Sequence, residues 1–88
     1  MAGVEKILER IMQGNSDANI PFDGLRRILD RLGFRERIRG DHHIFFKDGI
    51  EEIFNLQPKG NKAKPYQVKQ VRHVILKYKL GGQPDAEV

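Results

Sequence analysis

The chain has 88 residues, with 16 Lys or Arg against 12 Asp or Glu for a formal charge of +4, and no cysteine. That length admits one small domain with an economical core and not two, and the missing cysteines exclude disulfides and a thiolate zinc site. No apolar stretch approaches the roughly 20 residues that cross a bilayer, and Met1-Ala2-Gly3-Val4-Glu5-Lys6 lacks a signal-peptide layout, so a soluble cytoplasmic protein with no membrane partner is expected.

Val4, Ile7, Leu8, Ile11 and Met12 recur at helical spacing, and Gly14 supplies a stop. Asn15 to Asn19 reads as a loop. Phe22, Leu25, Ile28, Leu29 and Leu32 mark a second helix, with Pro21 in its first turn and Gly33 at its end. From Phe34 the period drops to two: Phe34, Glu36 and Ile38 alternate with Arg35, Arg37 and Arg39, which predicts a strand with one basic face. Gly40-Asp41 turns the chain into a returning strand, His42 to Lys47. Asp48-Gly49 is a tight-hairpin signal, and a third strand follows around Glu51 to Leu56. Pro58 to Lys62 is a loop. Pro65 opens a last helix, whose Val68, Val71, Ile75 and Tyr78 share a face and which Gly81-Gly82 closes.

The expected fold is therefore α+β, helix–helix–three antiparallel strands–helix, with helices two and three covering one sheet face. The domain spans 1–80 and leaves 81–88 as a flexible tail. The first helix adds apolar surface at an edge or offers it to a partner.

Charge is unevenly spread. Between Glu52 and Asp85 no acid occurs, while Lys59, Lys62, Lys64, Lys69, Arg72, Lys77 and Lys79 all do. Such a block suits a polyanion, whose phosphates it neutralises with release of counterions; it also suits a merely solvated surface.

His42 and His43 follow the Gly40-Asp41 turn. Neighbours in a strand point to opposite faces, so the two make poor ligands for one ion, and no metal site is expected. General acid–base work is the sharper reading, because imidazole gives and takes protons near neutral pH. RNA carries its own nucleophile, the 2′-hydroxyl, and nearby cations would stabilise charge building on its phosphate. The plainer reading is two inert imidazoles at a strand end.

Leu32-Gly33-Phe34, Arg39-Gly40-Asp41-His42-His43-Ile44-Phe45, Lys59-Gly60-Asn61-Lys62-Ala63-Lys64-Pro65 and Ile75-Leu76-Lys77-Tyr78 together resemble the HicA family of small type II toxins, over about residues 20–80. The resemblance implies a double-stranded-RNA-binding-domain-like fold with an extra N-terminal helix. It implies cleavage of mRNA without metal or cofactor, a cognate HicB-type antitoxin, and no DNA bound by this chain itself. It maps the catalytic histidine onto His42. Arg35, Arg37, Arg39, His43, Lys59, Lys62, Lys64 and Lys69 would then contact RNA. Two features depart from the family pattern: Asp41 stands where a small residue is usual, and Asn55-Leu56-Gln57-Pro58-Lys59 replaces the usual step after strand three. The alternatives are a non-catalytic double-stranded-RNA-binding module, gripping phosphates through Lys62-Ala63-Lys64, and an interaction protein docking through Val4, Leu8 and Ile11.

Overall fold

The computed structural model describes residues 2–80. Helix α1 spans Ala2–Gln13, α2 Phe22–Arg31 and α3 Pro65–Tyr78; the strands are β1 Arg35–Arg39, β2 His42–Lys47 and β3 Ile50–Leu56. The three strands form one antiparallel sheet in the order β1-β2-β3. The fold is thus α+β with three helices. No helix among the described residues is long and apolar enough to cross a membrane.

The loop expected at Asn15 to Asn19 contains a short 3-10 turn, Asp17–Asn19. Pro21 sits just before α2, in extended conformation, and its carbonyl accepts from Leu25 N–H at 3.0 Å. Phe34 belongs to the end of α2 and not to β1. Gly33, at φ +97, lets Phe34 N–H reach back to Leu29 O while its own N–H reaches Asp30 O, both at 3.0 Å. Phe34 is then buried, the hydrophobic contact that accompanies this helix stop.

Helix α3 stops the same way without a glycine. The expected stop at Gly81-Gly82 lies outside the described residues, and the helix ends earlier. Lys79 takes the left-handed conformation (φ 55), Leu80 N–H donates to Ile75 O at 3.0 Å, and half-buried Leu80 packs on the core. The back-bonds and the packing of Leu80 offset the strain of a non-glycine residue there.

Phe45, Phe54 and Leu56 project from one sheet face into a core completed by Leu25, Ile28 and Leu29 of α2 and Val68, Val71 and Ile75 of α3. Helix α1 is part of this core. Ile11 is fully buried and Val4 nearly so, with Leu8 half-buried against them. A Cβ on Gly24 would come within 2.5 Å of Ile7 Cδ1, so the bare glycine is what lets α1 lie this close to α2. The strip read as a docking face is thus mostly consumed by folding.

Two cations of the basic block have acidic partners. Arg72 donates to both Asp17 oxygens (2.9 and 3.2 Å) and to Ile11 O (3.0 Å), tying α3 to the end of α1. Lys77 donates to Glu52 at 2.8 Å. The block is free of acids in sequence but not in space.

The C-terminal end of the outer edge of β3 is closed by one side chain. Gln67, only 3% exposed, donates through Nε2 to Asn55 O (3.1 Å) and accepts Gln57 N–H at Oε1 (3.3 Å). Its amide does what a neighbouring strand would do, satisfying backbone groups that burial would otherwise leave unpaired.

Candidate active site

Register decides which side chains share a face. Arg35 pairs with Phe46, Arg37 with Ile44 and Arg39 with His42, and Ile44 pairs with Asn55 on β3. Opposed residues point the same way, so Arg35, Arg37, Arg39, His42, Ile44, Phe46 and Asn55 lie on one face. The other face carries Phe45, Phe54 and Leu56 into the core. The helices cover only that second face.

His42 is half-exposed on the open face, beside Arg39. Its Nδ1 lies 3.0 Å from Asn55 Oδ1. With the amide oxygen as acceptor, Nδ1 carries the proton and Nε2 holds the lone pair, which is the form a general base needs. Asp41 Oδ1 is 3.8 Å from Nε2. That is beyond hydrogen-bond range, so Asn55 and not Asp41 sets the tautomer.

Asp41 is occupied elsewhere. Its Oδ2 accepts from Gln57 Nε2 at 2.9 Å, and Gln57 Oε1 in turn accepts from Lys64 Nζ at 3.3 Å. The Gln57 hydrogen bond holds the Asp41 carboxyl below its ordinary value, with smaller help from its own backbone N–H and the positive charge of Lys64. Gln57 therefore draws Lys64 to the His42 corner and keeps the carboxylate engaged. Asn55 and Gln57 belong to the Asn55-Leu56-Gln57-Pro58-Lys59 segment that, like Asp41, departs from the pattern of the family the sequence resembles, and these side chains are bonded together at the His42 corner. The sequence signal of Asn55 and Gln57 is period two: both alternate with buried Phe54 and Leu56 on β3 and its extension.

His43 is set apart from this group. It faces the helices, with its side chain 13% exposed and its ring 5.0 Å from that of Phe22, edge to face. Its Nδ1 donates to Glu36 Oε2 at 2.7 Å, and Glu36 also accepts from Arg26 Nε and Nη2 at 2.8 and 3.2 Å. The placement is that of an internal contact, on the opposite side of the sheet from Arg35, Arg37 and Arg39.

Burial pushes the Glu36 carboxyl up, but the hydrogen bonds from Arg26 and His43 outweigh it and hold the group below its ordinary value of 4.5. A depressed acid contributes stability above its ordinary value and loses it as pH falls through the folded one. Thermal stability is therefore expected to fall on acidification below about pH 4.5. Glu36→Gln should flatten that part of the profile. It should also cost about 1–2 kcal/mol at neutral pH, a moderate figure because the side chain keeps 24% of its exposure. Melting curves of both proteins from pH 3 to 7 check this (about the range over which a carboxylate titrates); parallel profiles would contradict it.

Lys59 and Lys62 close a tight turn, each N–H bonded to the other's carbonyl (2.8 and 3.1 Å). The turn is anchored to the start of α2 by Phe22 N–H to Asn61 O (3.0 Å) and Ala63 N–H to Ile20 O (2.9 Å). Lys69 is exposed on α3. No side-chain hydrogen bond or ion pair joins Lys59, Lys62 or Lys69 to the His42 group among the described residues, and none of Arg35, Arg37 and Arg39 meets a carboxylate there. Nor do three His, Asp or Glu side chains gather where they could hold a metal ion among those residues.

The chain matches no family model, no curated protein and no solved structure.

Proposed function

We propose that the chain is an endoribonuclease that cleaves mRNA with His42 as general base, the toxin of a HicA-type toxin–antitoxin pair with a double-stranded-RNA-binding-domain-like fold. What supports the reading most is the oriented imidazole. His42 has Nδ1 held by Asn55 and Nε2 without a hydrogen bond among the described residues, on a sheet face that also carries three guanidinium groups with no acidic partner among those residues. In the reaction, Nε2 takes the proton of a 2′-hydroxyl, and that oxygen attacks the adjacent phosphorus. The bond to the 5′-oxygen breaks, leaving a 2′,3′-cyclic phosphate and a 5′-hydroxyl that takes its proton from the medium. Arg39 and Lys64 flank this corner and offset charge building on the phosphate. The same reading carries a cytoplasmic site of action and a HicB-type antitoxin that masks the open face.

Purified protein incubated with RNA in excess chelator is expected to yield fragments ending in 2′,3′-cyclic phosphate, and RNA lacking the 2′-hydroxyl at the cut should resist. RNA that stays intact while showing a salt-sensitive gel shift would overturn the nuclease in favour of a double-stranded-RNA-binding module. That second reading is favoured by exposed Lys59 and Lys69, which lie outside the His42 group.

A further inference from the structure

The open face carries more than catalysis requires. Beside the arginines of β1 runs an apolar strip: Ile44 and Phe46 of β2, both half-buried, and Ile53 of β3, which is 61% exposed. Ile53 precedes Asn55 by two and so shares its face. Arg37 lies over Phe46, its guanidinium carbon 5.9 Å from the ring centroid. Folding alone gives no reason to keep an aromatic ring and a bare isoleucine here, because the core is on the other face.

We propose that this face binds single-stranded RNA, with a base stacked on Phe46 and successive phosphates on Arg35, Arg37 and Arg39. Three observations carry the proposal. First, alternate residues of a strand stand about 7 Å apart, a pitch at which consecutive phosphates of an extended chain each meet one guanidinium. Second, the ring is on the strand next to the arginines, so a nucleotide whose phosphate rests on β1 lays its base over β2. The Arg37 guanidinium that lies over the ring moves off to its phosphate as the base stacks, and an aromatic face so uncovered is a platform for any base. Third, such a base must be unstacked from its neighbours, which a duplex does not allow without opening. The occupant is therefore a single strand.

The surface also has a direction. Arg39 and His42 form one end of it, Arg35 and Phe46 the other. Phe46 lies four residues along β2 from His42, roughly 13 Å, about two nucleotides of an extended strand. Where cleavage is concerned the proposal rests on the nuclease reading, since the stacked base then sits at a fixed distance from the scissile bond. Binding itself requires no cleavage.

The test uses the full chain carrying His42→Ala, so that the RNA survives. The protein has no tryptophan, so Phe46→Trp introduces a single indole reporter. Its fluorescence is expected to be quenched by a short oligouridylate and much less by a duplex of the same length. Phe46→Leu keeps the strip apolar but removes the ring, and should weaken single-strand binding about 5- to 150-fold. Because no charge is lost, the slope of log Kd against log salt should not change. Unquenched indole despite RNA binding, or equal affinity for single strand and duplex, would overturn the proposal. So would a response only to an acidic protein partner and not to RNA. Quenching in the variant alongside a wild type that leaves RNA intact would reject the nuclease and keep the platform. Cleavage without quenching would do the reverse.

Discussion

His42→Ala is expected to lower RNA cleavage about 10²–10⁴-fold, the usual share of a general base, with the fold retained. The side chain is half-exposed and its only side-chain hydrogen bond among the described residues is to Asn55. Its removal should thus change stability by no more than about 0.5 kcal/mol. Single-turnover cleavage and a thermal melt on the same preparation separate the two effects. Asn55→Ala provides a finer arm. Without the amide, both tautomers and more ring orientations become populated, so kcat should fall by less than in His42→Ala while KM stays close to wild type. Asn55→Asp keeps an acceptor for Nδ1–H and should recover part of the rate, with its pH profile displaced because the partner is now charged. Full cleavage by His42→Ala would remove the assigned base, and an equal loss in KM and kcat for Asn55→Ala would mean that Asn55 binds substrate instead of positioning the ring.

The order of helices and strands was legible because the periods are clean. The change from Leu32-Gly33-Phe34 to the alternating arginines of β1 marks the passage from helix to strand, and Asp48-Gly49 marks a hairpin. That His42 and His43 face opposite ways followed from period two as well. Which of them faces solvent did not, because that depends on where the helices land, and Glu36 and Phe22 decide it by engaging His43. Gln67 was hidden for a related reason. A glutamine in a helix reads as solvent-facing until β3 presents the two backbone groups that it closes. Gln57 looked like a departure from a family pattern, and only its bonds to Asp41 and Lys64 reveal a connection across the site. In each case the missing information is a tertiary contact between segments that the local pattern does not join.

Asp17→Ala should produce the largest loss of stability among the ion pairs described, about 2–3 kcal/mol. Arg72 is 14% exposed and Asp17 21%, so the pair is screened far less than a surface one. Removing the carboxylate leaves a mostly buried guanidinium whose remaining partner is Ile11 O, a carbonyl of the last turn of α1. Arg72→Met removes the charge as well as the cap, yet keeps a long apolar stem in place. If the loss comes from an uncompensated charge, Asp17→Ala combined with Arg72→Met will cost less than the sum of the two single changes, and denaturant titration of the four proteins measures the difference. Strict additivity would mean that the two side chains act independently. The same proteins bear on the proposed RNA face. Arg72 belongs by sequence to the basic block but by structure to the interior, so Arg72→Met should leave the affinity for single-stranded RNA and its salt slope unchanged under conditions where the protein is folded. Arg37→Ala should reduce that slope by about one phosphate contact. A cation's place in the charge pattern of a sequence thus says little about its partner. Here the bidentate bond to Asp17 makes Arg72 a tie between helices, and in the proposed reading the polyanion falls to the arginines of β1.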